Sequence, residues 1–344
     1  MTLALMTQMP KQGESKKKVL NDQQWMQQRM KIGLSATPSA KIISQSTMEN
    51  LTSSGYKNYI QEHFKRKECV RYFPGESGDL CEECGHHEEE HKTIQDLNSE
   101  SDQLFGVKVV DTEDEGGKGQ NNQTESNHIQ KFPTNAYGKI AFEGGQKGKY
   151  VRLADDTPMV NIREFMTYDN TLMKPKPHMA LSIIGGNKNF KMDGRKRETF
   201  KNNVIVAAQA TNAWIITGGT KIGSNRLIGE IVKEGQLLVS EGERMRKGIR
   251  TIGICSWGYI AHSDSLVNPT VTEQVLTPEG LKSIPKVAYN SDQEIKIKAK
   301  LPLDPNHLRF FLVDDGYSRK SFRYETGGVA KFRADFEKMI RKQE

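Results

Sequence analysis

The second half of the chain alternates between short apolar runs and runs with helical spacing. The apolar runs at residues 179–186, 213–219, 251–258 and 309–316 are seven or eight residues long, which is typical of strands buried on both faces. Between and after them, apolar residues recur every three or four positions. These positions are Phe200, Val204, Ala207, Ala208 and Thr211, then Leu227, Ile228, Ile231 and Val232, and finally Val329, Phe332, Phe336, Met339 and Ile340. Strands alternating with helices predict an α/β fold, a parallel sheet covered by helices on both faces.

The polarity of the chain divides it into four expected segments. Residues 1–50 are polar and lack periodicity, which predicts a mobile N-terminal arm. Residues 51–91 carry aromatic residues and three cysteines, and we expect them to be ordered. Residues 92–130 are acidic and polar, which predicts a disordered loop. Residues 131–344 hold the α/β pattern and form the expected main domain.

Charge and hydropathy narrow the classes of partner. Fifty Lys and Arg against 43 Asp and Glu give a net charge of +7, but basic and acidic residues are interspersed along the chain. That mixture is typical of a solvated surface, so we expect no nucleic-acid partner. No run approaches the roughly 18 apolar residues of a membrane span, so we expect a soluble chain that does not insert into a membrane. The start of the chain, MTLALM, lacks the long apolar core of a secretory signal.

Three of the four cysteines are clustered with histidines and acidic residues. Cys81 and Cys84 form a CxxC pair, whose spacing lets two thiolates reach one tetrahedral ion, and Cys69 can return from the preceding stretch. The spacing alone does not choose the fourth ligand, which could be His86, His87 or His91. Four protein ligands leave no open position for water, so we expect a structural zinc ion and a reducing, cytosolic compartment. Cys255 stands apart in an apolar strand and is expected to be a small buried hydrophobe.

The predicted strands end in residues that suit ligand binding at the carboxyl edge of a parallel sheet. These endings are Gly185-Gly186, Gly218-Gly219, Trp257-Gly258 and Asp314-Asp315-Gly316. Glycine lets a phosphate approach the backbone, and the following helix offers free N–H groups, so we expect a nucleotide-like ligand. The competing interpretation is that the glycines only make tight turns, that Trp257 plugs the edge instead of stacking on a base, and that the aspartates cap a turn. The turns match neither GxGxxG nor a Walker motif.

Several stretches resemble, in order, the amino-terminal cytosolic homology region of melastatin-type transient receptor potential cation channels, nearest to the ADP-ribose-gated kind. They are KRKECVRYFPGESGDLCEECGHHEEEH (65–91), YVRLADDTP (150–158), LSIIGGNKNF (181–190), VAAQATNAWIITGGTKIG (206–223), TIGICSWG (251–258) and FFLVDDG (310–316). The resemblance implies a Rossmann-like fold of the nucleotide-sensor type, preceded by a small zinc-binding segment, on the cytoplasmic side of a tetrameric channel. The implied partners are the other subunits and domains of that channel.

The resemblance also implies which residues bind ligands. ADP-ribose or a related nucleotide derivative would control gating by binding at Gly185, Gly186, Asn187, Gly218, Gly219, Thr220, Ser256, Trp257 and Arg333. The implied zinc ligands are Cys69, Cys81, Cys84 and His91. Two stretches depart from the family pattern: Ser224-Asn225 stands where Val-Met is usual, and His262-Ser263 where an arginine is usual. Loss of that arginine would remove a charge-assisted bond, worth roughly 1.5–3 kcal/mol.

Two other functions compete with a regulatory ligand-binding module. One is a ligand-free domain for subunit assembly. The other is an enzyme, because the nucleotide-sensor superfamily includes phosphoribohydrolases that cleave nucleoside monophosphates. Those enzymes carry a PGGxGTxxE-like turn with a catalytic glutamate, whereas the stretch from Gly218 reaches its first acid only at Glu230. We therefore expect no catalytic residues and no enzymatic activity.

Overall fold

The computed structural model describes residues 2–5, 53–75, 78–82, 84–105, 128–168, 177–185, 190–237, 248–277, 280–297, 299–317 and 327–341. The helices in these ranges are α1 (Ser53–His63), α2 (Ile94–Phe105), α3 (Met159–Tyr168), α4 (Gly194–Thr211), α5 (Gly223–Leu237) and α6 (Gly327–Arg341). The strands are β1 (Thr2–Leu5), β2 (Lys65–Cys69), β3 (Ile129–Pro133), β4 (Tyr137–Phe142), β5 (Lys147–Ala154), β6 (Ala180–Ile184), β7 (Trp214–Thr217), β8 (Arg250–Ser256), β9 (Val271–Thr277), β10 (Gly280–Tyr289) and β11 (Arg309–Asp314). None of the described helices is both long and apolar enough to cross a membrane.

The central sheet has nine strands in the order β1-β6-β7-β8-β11-β5-β4-β10-β9. Strands β6, β7, β8, β11 and β5 run parallel to one another, which confirms the parallel sheet predicted from the apolar runs. Antiparallel pairs extend this central part: β1 pairs with β6, β4 with β5, and β9 with β10. These outer strands were not expected, and they make the sheet mixed.

Helices cover both faces of the sheet, as predicted. On one face, Trp214 and Phe311 pack with apolar residues of α1, α3 and α6, including the fully buried Phe165 and Phe336. On the other face, Ile215 packs against α4 and α5, with Ile231 among the buried residues. A third cluster holds Cys255 of β8 with Phe310 and Leu312 of β11. The strands read as continuous apolar runs because both faces of the sheet are buried.

Helix α1 belongs to the main core, although we expected residues 51–91 to be a separate segment. Ile60 and Phe64 are completely buried, and the ring of Phe64 packs edge-on against Phe165 at 5.1 Å between centroids. The strand that follows, β2, pairs antiparallel with β3 in a second sheet of two strands. The residues before and after the expected loop are therefore joined in one structure.

Two expected segments differ from the structure where it describes them. Thr2–Leu5, within the expected mobile arm, forms β1 on the edge of the sheet, and the rest of the arm lies outside the described residues. Within the expected disordered loop, Ile94–Phe105 forms α2, while residues 106–127 also lie outside them. Helix α2 has a capping box, in which Thr93 and Asp96 exchange side-chain hydrogen bonds, and its Leu97 is buried. The buried Leu97 and the capping box stabilise α2, although its polar sequence did not predict a helix.

Candidate functional site

The carboxyl ends of β6, β7 and β8 lie side by side at one edge of the sheet. The parallel register places Ser182 of β6 opposite Ile216 of β7, which in turn lies opposite Ile252 of β8. The edge therefore brings together Gly185 and the turn at residues 218–220, as expected from the sequence. Gly186 and Asn187 lie outside the described residues.

The turn after β7 is held by its own side chains. The Gly218 amide donates to Asn225 Oδ1 at 3.1 Å, and Asn225 Nδ2 donates to the hydroxyl of Thr220 at 3.0 Å. The Gly219 amide donates to the hydroxyl of Thr217 at 2.9 Å. The donors that we expected to receive a phosphate are thus bonded within the protein.

The turn after β6 is also held by a side-chain hydrogen bond. The hydroxyl of Ser224, near the start of α5, donates to the carbonyl oxygen of Gly185. Ser224 and Asn225 are the two residues that depart from the family pattern at this turn. Both departures therefore have a structural role, since each one fastens a glycine turn to α5.

Gly219 has a different role from the one expected of it. Its φ is +69°, a left-handed conformation that favours glycine, and a Cβ atom there would lie 2.7 Å from Gly253 Cα of β8. The missing side chain thus allows the turn after β7 to approach β8 closely, and it does not clear space for a ligand. The physical reason is that the chain bends over the face of the sheet immediately after β7, where the Gly219 carbonyl accepts from the Asp304 amide at 2.9 Å.

Ser256 and Trp257 end β8 at the same edge. The hydroxyl of Ser256 is buried and has no hydrogen-bond partner among the described residues. Trp257 is half-buried, and the guanidinium of Arg152 lies over its ring at 4.4 Å from the centroid, a cation–π contact. Trp257 is thus oriented by Arg152 from β5, which the sequence did not indicate. At the neighbouring Cys255, burial raises the pKa of the thiol, consistent with the small buried hydrophobe predicted there.

Arg333 lies on α6 and binds the backbone near the ends of both β6 and β7. Its guanidinium donates to the carbonyl oxygens of Ile183 at 3.2 Å and Ile216 at 3.0 Å, and it pairs with Glu337 at 3.0 Å. A fourth bond of 2.8 Å joins it to the hydroxyl of Ser182. These bonds use Nε and Nη2 of the guanidinium, and ligand contact by Arg333 stays a prediction.

The two-stranded sheet of β2 and β3 lies over the other half of the carboxyl edge, at β5 and β11. The backbone amide of Lys67 in β2 donates to Asp314 at 3.0 Å, and the Lys67 ammonium pairs with Asp155 at 2.5 Å. Asp314 and Asp315 also accept from the amides of Gly316 and Tyr317, which agrees with the turn-capping interpretation. The aspartate turn is thus covered by β2, and candidate ligand contacts concentrate at β6, β7 and β8.

Arg152 occupies the centre of a buried ionic network under β2. It pairs with Asp314 at 2.6 Å and with Glu68 of β2 at 3.1 Å. Burial opposes the charged form of Arg152, but these two carboxylates outweigh it and raise the pKa of the guanidinium. Burial also raises the pKa of Asp314, against the lowering effect of Arg152. The network connects the strand that carries Cys69 to the carboxyl edge.

The structure brings Cys69, Cys81, Cys84 and His91 together. One ligand atom from each lies within 4.8 Å of the others, and the three thiols are buried. Cys81 and Cys84 lie in a tight turn, in which the Gly85 amide donates to the Cys81 carbonyl at 2.8 Å. Three thiols and one imidazole in a compact group match the donor set of a closed zinc site.

The orientation of His91 suits a metal ligand. Its Nδ1 lies 2.8 Å from the carbonyl oxygen of His87, so this nitrogen donates a proton to the carbonyl, and in the neutral ring Nε2 has a free lone pair. Nε2 lies 3.2 Å from the Cys84 sulfur, on the side of the thiols. His87, one of the alternative ligands, instead has its Nδ1 2.7 Å from the Asp79 carbonyl. The hydrogen bond with Cys84, followed by those with the Arg71 backbone and His91, outweighs burial and lowers the pKa of Cys69 to about 5.

A chain of buried polar residues lies beside the glycine turn and was not predicted. The Thr217 hydroxyl lies 2.7 Å from His307 Nε2, and His307 Nδ1 lies 3.4 Å from Asp304. This order of groups resembles a nucleophile, base and acid, but all three side chains are buried and Thr217 already accepts from Gly219. The arrangement fastens the segment before β11 to the end of β7.

A cavity of about 300 Å³ lies between α5 and the turn that joins β4 to β5. Its walls carry charges of both signs, from residues including Glu143, Lys221, Arg226, Lys233 and Asp292. Several of these charges neutralise each other, since Lys221 pairs with Asp292 at 2.5 Å and Arg226 with Glu230 at 2.9 Å. The cavity lies next to Thr220, because Lys221 lines it, but its lining residues include none of the ligand contacts predicted from the sequence.

Comparison with known proteins connects this architecture to channels. The family described as "SLOG in TRPM" matches residues 148–344, more than half of the chain. A transient receptor potential cation channel subfamily M member-like 2 of Nematostella vectensis is 34% identical over 275 residues, which are 79% of this chain and 15% of the relative. The subfamily M member 2 of Rattus norvegicus is 33% identical over 284 residues, 79% of this chain and 16% of the relative.

The likeness extends to more distant relatives. The channel trpm of Drosophila melanogaster is 26% identical over 268 residues, which cover 77% of this chain and 11% of the relative. The chain thus spans between 11% and 16% of the length of these three relatives. The match includes the parallel strands β6, β7, β8 and β11 and the described helices α4, α5 and α6. The chain therefore belongs to the SLOG family of TRPM channels, the amino-terminal domain of melastatin-type transient receptor potential cation channels.

Proposed function

We propose that this chain is a regulatory module on the cytoplasmic side of a melastatin-type cation channel, and that it binds ADP-ribose or a related nucleotide derivative. The ligand would lie at the carboxyl ends of β6, β7 and β8. The observation that carries the proposal is the hydroxyl of Ser256, which is buried at this edge and has no partner among the described residues. A buried hydroxyl without a partner costs free energy, which a polar ligand would recover.

The surroundings of Ser256 favour a nucleotide. Trp257 offers an aromatic ring held by Arg152, and a planar base can stack on such a ring. Helix α5 begins at Gly223, shortly after the turn at residues 218–220, so the positive end of its dipole lies near this edge, where an anionic group is stabilised. No catalysis is part of the proposal, and ADP-ribose should be recovered intact after binding.

We also propose that Cys69, Cys81, Cys84 and His91 hold a structural zinc ion. The convergence of the four donor atoms and the fixed tautomer of His91 support it. Such an ion would cross-link the end of β2 to the turn at Cys81 and Cys84. Residues of β2 also bind Asp314 and Arg152 at the carboxyl edge of the sheet. By fixing β2, the zinc would therefore stabilise the half of this edge that β2 covers.

The nucleotide proposal is tested by calorimetric titration of ADP-ribose into wild type and Ser256→Ala, with AMP as the control ligand. Since Ser256 has no hydrogen-bond partner in the part of the chain that the structure describes, the change should leave folding intact and weaken ADP-ribose binding about tenfold. Thr167→Ala is the matched control, because this exposed hydroxyl bonds only locally, to the Glu164 carbonyl. Equal affinity of Ser256→Ala and Thr167→Ala for ADP-ribose would show that Ser256 does not contact the ligand.

A second function, ligand-free subunit assembly, has its own supporting observation. The amides of Gly218 and Gly219 are already bonded to Asn225 and Thr217, as a turn with only a structural role would be. Under this alternative, neither ADP-ribose nor AMP would produce heat in any variant.

A further inference from the structure

Asn225 occupies the hydrogen-bonding groups of the glycine turn that a phosphate would need. Its Oδ1 accepts from the Gly218 amide at 3.1 Å, and its Nδ2 donates to the Thr220 hydroxyl at 3.0 Å. One side chain therefore engages both ends of the three-residue turn. Both bonds are of ordinary length, so the amide fits the turn without distortion.

The chemistry of this contact imitates ligand binding. A phosphate at a glycine turn is held by backbone N–H groups that point at its oxygens, and Asn225 Oδ1 presents an oxygen to the same kind of donor. The fit is also close in space, because a Cβ atom at Gly218 would lie 2.7 Å from Asn225 Nδ2. The space in front of Gly218 is thus filled by the Asn225 amide.

We infer that Asn225 is an affinity-determining residue that takes the place of a ligand phosphate at the turn after β7, an inference that rests on the proposed nucleotide site. A nucleotide must displace the Asn225 amide from Gly218 and Thr220 before its own phosphate can bind there. The side chain thereby lowers the affinity of the wild-type chain, and it keeps the turn closed when no ligand is bound.

The contact of Ser224 with the other turn differs in kind. Ser224 donates to the carbonyl oxygen of Gly185, an acceptor that no phosphate oxygen could use. Removal of Ser224 would leave that carbonyl without this bond, whereas removal of Asn225 frees a donor. The inference therefore applies to Asn225 and not to Ser224.

The test is calorimetric titration of ADP-ribose into wild type, Asn225→Ala and Asn203→Ala, with the full chain in each case. Asn203 is exposed on α4, so Asn203→Ala controls for the loss of an asparagine side chain from a helix. We expect Asn225→Ala to bind about tenfold more tightly than wild type, because two bonds no longer have to be broken. Asn203→Ala should bind like wild type. Equal or weaker binding by a folded Asn225→Ala protein would overturn the inference.

Amide hydrogen exchange at Gly218 provides an independent measurement. In the absence of ligand, Gly218 should exchange faster in Asn225→Ala than in wild type, and ADP-ribose should restore slow exchange in the variant. If Asn225→Ala fails to fold, Asn225→Ser, which is too short to reach both groups, takes its place in both measurements. If wild type binds and the variant binds no more tightly, only this inference fails. If neither protein binds, the proposed function fails as well.

Discussion

The guanidinium of Arg152 and the carboxylate of Asp314 form an ion pair of 2.6 Å beneath β2, with both side chains almost completely buried. The pair joins neighbouring strands β5 and β11 at their carboxyl ends, and the same guanidinium lies over Trp257. The carboxyl edge of the sheet therefore has one half that is covered by β2 and a second half, at β6, β7 and β8, that carries the candidate ligand contacts.

Loss of the Asp314 charge should destabilise the whole domain. Asp314→Ala leaves Arg152 with Glu68 as its remaining carboxylate, and breaking a buried pair in this way costs roughly 3–5 kcal/mol. Asp156→Ala is the control, because its pair with Lys131 is about half exposed and should contribute less than about 1 kcal/mol. Urea unfolding of both variants measures the difference. Similar losses in the two proteins would contradict the central role given to the buried pair.

Purified protein should contain about one equivalent of zinc, measured by elemental analysis. Cys84→Ser should lower the free energy of unfolding by several kcal/mol, because closed zinc sites contribute directly to folding. His91→Ala should have nearly the same effect, since its Nε2 faces the thiols. His86→Ala is the control and should retain the metal. Fully folded protein that contains no metal would contradict the zinc proposal.

Gly219→Ala should be more destabilising than Gly145→Ala. Both glycines have positive φ, +69° and +82°, so both substitutions carry the backbone strain of about 1–2 kcal/mol. Only Gly219 also faces a close neighbour, since its Cβ would lie 2.7 Å from Gly253 Cα, whereas nothing lies within 4 Å at Gly145. Thermal unfolding of the two variants isolates this steric contribution. Equal stability would show that the turn at Gly219 does not approach Gly253 of β8 so closely.

The attachment of α2 should weaken in acid through Glu100. Burial alone would raise the pKa of Glu100, but hydrogen bonds from Asn268 and Lys92 and the charge of Arg66 outweigh it and lower the pKa to about 2. Because this folded-state pKa lies below the ordinary value of 4.5, the stabilisation is present above pH 4.5 and is lost as pH falls toward 2.

Glu100→Gln should accordingly flatten the dependence of stability on pH below 4.5. Urea unfolding of wild type, Glu100→Gln and the exposed control Glu89→Gln between pH 7 and pH 3 measures this slope. A Glu100→Gln protein whose stability falls with acid as steeply as that of wild type would place the acid-sensitive group elsewhere.

The sequence predicted the elements whose stability comes from continuous apolar runs. Strands β6, β7, β8 and β11 lie where the runs indicated, because each has a hydrophobic cluster on both sides. Strand β2 was not predicted, because its sequence KRKEC is charged and its burial depends on partners far along the chain, such as Asp314. Helix α2 was not predicted for the same reason, since its Glu100 accepts a hydrogen bond from a residue as distant in the chain as Asn268.

The candidate site was predictable only in part. The CxxC spacing indicated a metal site, and the structure brings His91 to the three thiols where the residues alone left the choice of histidine open. The glycine turns predicted a ligand site at the carboxyl edge of the sheet. The sequence does not show, however, whether the side of a glycine without a side chain faces a ligand or another part of the chain. Gly219 faces Gly253, and the bonds from Asn225 depend on a helix orientation that no local pattern encodes.

The central claim, a nucleotide site at the ends of β6, β7 and β8, is tested most directly by amide chemical-shift mapping. ADP-ribose added to isotope-labelled protein should perturb the amides of Gly185, Gly218, Ser256 and Trp257, and the perturbation should weaken as salt rises, because phosphate recognition is partly electrostatic. Perturbations confined to the cavity beside Glu143, or no perturbation at any concentration of ADP-ribose, would contradict the claim.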